Sequence, residues 1–240
     1  MARESMMERL SFAGWKYAQL AAFFVAFLLV LPHLPKGIIV TSLASLFLLN
    51  SLLVADSTSA RARSLQWVGW TLWSITTISA VVEVMQFDPS DRLVIKFVGI
   101  GAHTLLILAC AVTILAVVFR AGRVTIDGIF TSVVAYQLIG LFFAQIYTLI
   151  VLADPTALHL PDSIAYSTEN FQLEMIYFSF VTLATLGYGD IVPDVSLARS
   201  VTIIEAIIGQ FYVAVIVAVL VSSFVAQKLE EQAARSKNAR

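Results

Sequence analysis

The sequence predicts an all-α membrane fold with six spanning helices and a shorter helix dipping into the membrane between the fifth and sixth. Three observations carry that expectation. The 240 residues are 59% hydrophobic and only 13% charged, with a mean hydropathy of +0.88, whereas soluble domains carry about 25% charged residues. Six apolar stretches are long enough to cross a hydrocarbon layer about 30 Å thick, which takes about 20 residues of helix. One further apolar run, residues 171–184, is too short to cross and leads straight into a glycine-rich strip, "TLGYGD" at 185–190.

The six stretches run over residues 14–31, 37–55, 67–86, 93–119, 127–152 and 196–226. Turn chemistry separates the first five: "PHLPKG" at 32–37, "DSTSARARS" at 56–64, "FDPSDR" at 87–92 and "RAGRVTIDG" at 120–128. No small-residue cleavage pattern follows the first stretch, so it reads as a retained helix and not a signal peptide. Orientation follows the lysines and arginines. With both termini in the cytoplasm, Arg3, Arg9, Lys16, Arg61, Arg63, Arg120, Arg123, Lys228, Arg235, Lys237 and Arg240 all lie inside. That is eleven of the fifteen basic residues; Lys36, Arg92, Lys96 and Arg199 remain outside or near outer helix ends. A multi-pass protein of the cell membrane is expected.

The same composition removes most enzymatic and binding classes. A net charge of −1 is unsuited to a nucleic-acid partner, and no P-loop, dinucleotide fingerprint, zinc spacing or HExxH is present. The single cysteine, Cys110, sits in an apolar run, and His33, His103 and His159 are scattered without ligand spacing. No enzymatic activity and no organic cofactor are expected.

The longest loop, about 153–195, faces outward. Its first part, "DPTALHLPDSIAYSTEN", is polar; its second, "FQLEMIYFSFVTLA" at 171–184, has the length of a re-entrant helix. Non-helical backbone at membrane depth is tolerated only where protein buries it or where it lines a water-filled cavity. A dehydrated cation needs oxygens in place of its water, and a column of backbone carbonyls pointing one way supplies them. Carbonyls in an ordinary strand alternate, so aligning them requires alternate residues in left-handed conformation, which glycine adopts without penalty. Gly187 and Gly189 stand at alternate positions, Thr185 offers a hydroxyl at the inner end, and Tyr188 has a ring to wedge against neighbouring helices.

On Thr185-Leu186-Gly187-Tyr188-Gly189-Asp190, with a re-entrant run before it and "DIVP" after, the chain resembles the potassium channels, pore-loop tetrameric cation channels. The form it resembles is a bacterial-type six-helix channel without a voltage-sensor arginine array. The resemblance covers about residues 127–226. It implies a homotetramer around a central pore, with K+ ions held at Thr185, Leu186, Gly187 and Tyr188 by the filter strand 185–189. Many relatives have valine where Leu186 stands; the backbone is the ligand, so potassium selectivity is expected to survive. Non-selective relatives typically carry aspartate where Tyr188 stands. Gly209 occupies the place of the family's inner-helix hinge, and Gln210, Val213, Val217, Val221 and Val225 share one face at helical spacing, expected to line the inner pore and gate.

Four residues, Asp190, Tyr177, Thr182 and Glu205, are expected to support the filter from behind. In related channels the aspartate after the filter is tied to an aromatic or acidic residue of the pore helix. Val181 fills the acidic position here, so Tyr177, one turn earlier, is the expected partner of Asp190. Glu205 lies five residues before Gln210, about 140° round the helix from the cavity side, so it should point toward the pore helix or helix 5. Its candidate partners are Tyr136, Gln137, Gln145, Tyr147 and Thr182.

The outer mouth is acidic: Asp154, Asp162, Glu169, Glu174, Asp190 and Asp194 lie in a stretch without lysine or arginine, a field that concentrates cations. Voltage sensing needs regularly spaced arginines in segment 4. That segment offers only Lys96 and His103, so little voltage sensing is expected. Glu83 and Lys96 fall level across the "FDPSDR" hairpin and suggest a structural ion pair. Residues 1–120 thus form a four-helix region, 121–226 the pore domain and 227–240 a short cytoplasmic tail. A tail of that length is not expected to hold a nucleotide- or ion-sensing domain, so the opening stimulus is expected to act on the membrane part, through the lipid or through a partner on a separate chain. The competing readings are a subunit of a potassium transporter and a weakly selective cation channel.

Overall fold

A computed structural model describes residues 60–84, 89–120, 126–160 and 171–238. The described elements are helices α1 (Ala60–Val84), α2 (Pro89–Arg120) and α3 (Ile126–Ala153), strand β1 (Leu158–His159), helix α4 (Phe171–Leu183), strand β2 (Val192–Pro193) and helix α5 (Ser196–Asn238). The first two expected spans, residues 14–31 and 37–55, lie outside the described residues, as does the Glu83 side chain of the expected ion pair. Three described helices are long and apolar enough to cross a membrane, over Leu93–Ala116, Gly128–Ala153 and Ser196–Ser223.

Helix α1 occupies the third expected span but falls short of that apolarity because serines and threonines interrupt it. Those hydroxyls do not compete for outside partners. Thr71, Ser74, Thr76, Thr77 and Ser79 each donate to a carbonyl three or four residues earlier, at 2.8–2.9 Å. A hydroxyl satisfied within its own helix is cheap to place in apolar surroundings.

Helix α3 is the central element. On one side Val134, Ala135, Leu138 and Leu141 pack against Leu106, Ile107, Cys110, Ala111 and Ile114 of α2, the three-and-four spacing of a buried helical stripe. On the other, Phe143, Tyr147 and Ile150 meet Met175, Phe178 and Leu183 of α4. Gly140 permits the close approach: a Cβ there would sit 2.9 Å from the Phe180 ring. Helix α4 has 13 residues, about 20 Å of helix, so it cannot span.

Beyond α4 the chain returns through β2, which pairs antiparallel with β1, Leu158 opposite Pro193 and His159 opposite Val192. The amide of Asp194 bonds the Ala157 carbonyl at 2.9 Å. Arg199 donates to the Pro193 carbonyl at 3.1 Å and reaches Asp194 at 3.4 Å. The start of the outer loop is thereby tied to the segment that leaves the strip. Helix α5 then runs 43 residues without interruption, through the boundary expected at residue 226.

Candidate ion-binding site

The strip at 184–190 begins as the C-cap of α4. The Leu186 amide bonds the Val181 carbonyl and the Thr185 amide the Thr182 carbonyl, both at 2.9 Å. These are the two hydrogen bonds of a Schellman cap, whose C′ residue must be left-handed and is usually glycine. Here it is Thr185, at φ 58, the one non-glycine residue with positive φ among those described. A β-branched residue in that region is a genuine outlier. Such strain persists where surrounding bonds over-determine it, and it clusters at functional sites. Gly187 at φ 57 and Gly189 at φ 79 follow. Left-handed conformation thus recurs at every second residue, 185, 187 and 189, and Leu186 and Tyr188 between them are not part of it.

All residues from Ala184 to Asp190 are exposed in the single chain, Leu186 at 57% and Tyr188 at 66%. The Cβ positions of Gly187 and Gly189 would meet nothing within 4 Å. The strip therefore stands open, held from its two ends and from behind.

The outer end is held by Tyr177. Its hydroxyl donates to Asp190 Oδ2 at 2.5 Å, and its ring stacks on Tyr188 with centroids 6.4 Å apart and planes 14° from parallel. Asp190 Oδ1 accepts the Ile191 amide at 3.1 Å. The Tyr177 bond in particular keeps the Asp190 carboxyl below its ordinary range. Farther out, the Thr156 side chain and amide likewise lower Asp154.

Behind the strip sits Glu205, with 0% of its surface exposed. Tyr147 of α3 donates to its Oε2 at 2.6 Å, and Ser179 of α4 lies 2.5 Å from its Oε1. Ser179 is also 2.7 Å from the Gly140 carbonyl, so this cluster joins α3, α4 and α5. Of the partners expected for Glu205, the structure places Tyr147 there. Tyr136 turns instead to the Leu183 carbonyl at 3.1 Å. Gln137 and Gln145 keep buried Oε1 atoms without a hydrogen bond among the described residues, and Thr182 contributes its carbonyl to the cap. Ser179 was not among the residues singled out from sequence. Its position one helical turn before Thr182, on the same face, was the available signal.

Helix α5 passes the inner end. Gly209 is buried against the end of α4, where a Cβ would run into the Leu183 carbonyl oxygen. Its place is thus a close contact between helices. Gln210, next along, is exposed and donates from Nε2 to Thr185 Oγ1 at 3.2 Å. Val213, Val221 and Val225 are exposed; the Val217 side chain lies outside the description. Of the segment-4 residues, His103 has a buried Nε2 without a hydrogen-bond partner among the described residues.

Comparison with known proteins agrees with this geometry. A family profile described as "Ion channel" matches residues 141–226, from the middle of α3 through the strip into α5. Protein LctB of Bacillus caldotenax is 33% identical over 97 residues, 40% of this chain and 71% of the relative. Protein LctB of Geobacillus stearothermophilus is 32% identical over 99 residues, again 40% of this chain and 71% of the relative. No solved structure matches at a significant level. A re-entrant helix capped into an open, left-handed-alternating strip, with the profile spanning it and a relative one-third identical over most of its own length, leads to one assignment: the chain belongs to the ion channel family, as a pore-loop cation channel.

Proposed function

We propose that the protein is a potassium-selective channel that conducts K+ passively across the cell membrane, four copies surrounding one ion path. The observation that carries this reading is the alternation of left-handed residues at 185, 187 and 189 in a strip reading TLGYG. Alternate left-handed conformation lets successive carbonyls face one way, and rings of such carbonyls replace the hydration shell of K+ in selective filters. One chain offers one such strip, exposed on its open side, so several copies are needed to surround an ion. Helix α5 supports the count, since only 12% of its apolar window is buried by its own chain. The C-terminal end of α4, where carbonyl dipoles point, lies at the inner end of the strip and favours a cation there. Thr185, Leu186, Gly187, Tyr188 and Gly189 are the proposed K+ ligands. Asp190, Tyr177, Thr182 and Glu205 hold them, Gly209 seats α5 against the end of α4, and Gln210, Val213, Val217, Val221 and Val225 form the inner pore. The first four helices act as a membrane-embedded frame and not as a voltage sensor, with both termini cytoplasmic.

Purified protein recorded in a planar bilayer between asymmetric potassium and sodium solutions tests the reading. The reversal potential should follow the potassium gradient. A reversal near zero would replace it with a weakly selective cation channel, and turnover below about a thousand ions per second would replace it with a transporter subunit.

A further inference from the structure

Gln210 has no evident structural reason to be polar. It is exposed in the single chain, on a helix whose neighbouring positions are isoleucine, glycine, phenylalanine and tyrosine. A carboxamide among such residues, at membrane depth, is expected to have a partner or a role. Its partner is Thr185, whose hydroxyl is the side-chain oxygen at the inner end of the strip 185–189; the other, the Tyr188 phenol, belongs to the ring stacked on Tyr177 toward the outer end.

Two features hold the pair in register. Gly209 brings α5 against the Leu183 carbonyl, closer than any side chain would permit, which fixes the height of the next residue. That same carbonyl accepts the Tyr136 hydroxyl, so the contact is clamped from α3 as well. Thr185 is held by the α4 cap in left-handed conformation, which fixes where its Cβ points. One freedom remains, the placement of the Thr185 hydroxyl and its proton. A threonine hydroxyl has one proton and two lone pairs, and the N–H from Gln210 takes one lone pair.

We propose that Gln210 is a positioning residue for the innermost cation site: its carboxamide orients the Thr185 oxygen toward the ion path and so sets how well that site holds a dehydrated cation. The inference rests on the potassium-channel reading above. A ligand already oriented costs no rearrangement when the ion arrives, the same advantage that preorganised dipoles have at catalytic sites. With Nε2 engaged by Thr185, the amide oxygen of Gln210 is a second neutral oxygen beside the inner end of the strip. Without Gln210 the Thr185 hydroxyl can rotate toward its own helix cap, and the inner site loses an oriented oxygen in each subunit.

The test uses the full-length channel in planar bilayers, with Ba2+ added on the cytoplasmic side. Ba2+ is close to K+ in size and doubly charged, so it lodges where oxygens are best oriented and its block reports on the inner site. Gln210→Met keeps length and bulk while removing the donor. Its expected effect is block weakened by on the order of tenfold, as four weakened hydrogen bonds would produce. Gln210→Ser, too short to reach Thr185 but well tolerated on an exposed helix face, should show the same weakening. In a Thr185→Val background, which lacks the hydroxyl, Gln210→Met should change block by less than about twofold. Unchanged block in Gln210→Met or Gln210→Ser would overturn the positioning role. An equal loss with and without the Thr185 hydroxyl would also overturn it, showing that Gln210 meets the ion by itself. A parent channel that does not discriminate K+ from Na+ would instead sink the underlying reading before either variant is compared.

Discussion

At Gly187 and Gly189 the backbone is left-handed while the surrounding space is open, so a methyl group added there would touch nothing in its own chain. The cost of Gly187→Ala is therefore conformational, about 1–2 kcal/mol per residue, and it recurs in every subunit around one ion. Loss of potassium selectivity or of conduction is the expected result in single-channel recordings; normal selectivity would remove residue 187 from the filter. Both glycines were readable from their spacing. The left-handed Thr185 was not, because threonine in that conformation depends on two cap bonds that no local pattern announces. Tyr177→Phe keeps the ring stacked on Tyr188 and deletes only the hydroxyl bound to Asp190. Because that bond depresses the Asp190 carboxyl, its contribution is present above the ordinary aspartate value of about 3.9. It is lost as pH falls through the lower native value. The variant should lose current faster during sustained opening at neutral pH, and its sensitivity to external acid should begin at a higher pH than in the parent. Identical decay and identical acid sensitivity would show that Tyr177 does not brace the outer mouth.

At the scale of the helices, Glu205 is where α3, α4 and α5 meet. An acid within a spanning helix costs at least about 2.5–3.5 kcal/mol on insertion scales, so its partners have to recover that cost. The hydrogen bonds around it can be counted. Ser179 has a single proton and two close oxygens, the Gly140 carbonyl at 2.7 Å and Glu205 Oε1 at 2.5 Å. A carbonyl cannot donate, so the two contacts are separate two-centre hydrogen bonds only when the Glu205 carboxyl carries a proton; an ionised carboxylate would share the one Ser179 proton with the Gly140 carbonyl. Glutamine offers the same donor and acceptor in nearly the same shape. Glu205→Gln should then assemble and melt like the parent. Glu205→Ala leaves Ser179 with its Gly140 carbonyl but takes the close acceptor from the Tyr147 hydroxyl, which keeps only a 3.3 Å contact to Thr202 Oγ1, at about 1–3 kcal/mol for a group left unsatisfied. Thermal dissociation of the purified oligomer distinguishes them; equal destabilisation by both variants would show that the carboxyl is needed ionised. That Glu205 faces inward from α5 follows from its angle to Gln210. Its choice of Ser179 over Thr182 follows from the way α4 rotates against Gly140, which only packing decides.

At the scale of the whole molecule, the described residues leave much of the channel segment uncovered. Its strip is bare along one side, and α5 buries little of its apolar length against its own helices. Apolar surface of that extent on a spanning helix is met by lipid or by other copies, and a strip that lines water must be surrounded. In the proposed tetramer Val221 recurs four times around the axis, with no polar group to hold water. Apolar constrictions of this kind gate by dewetting. Val221→Asn should therefore raise open probability measured at fixed voltage, while Val221→Leu should not. Unchanged open probability in the asparagine variant would move the gate away from this ring.

Much about this protein is determined locally, and the sequence by itself decides it. Spanning length, apolar composition and basic-residue placement are additive along the chain, so the membrane character and the re-entrant run at 171–184 needed no tertiary information. Glycine's freedom at positive φ is intrinsic to the residue, so 187 and 189 marked the strip. Helix α1 shows the limit of such additive reading: the hydroxyls of Thr71, Ser74, Thr76, Thr77 and Ser79 count as polar by composition, yet each is satisfied by its own helix. The tertiary structure alone decided what depends on several segments converging. It decided that the α4 cap would force Thr185 left-handed, that Gly209 would be a contact with the Leu183 carbonyl, and that Gln210 would therefore reach Thr185. It also decided that Ser179 would stand beside Glu205. Each of these is set by distances between helices. A linear sequence encodes such distances only through the packing of every residue in between.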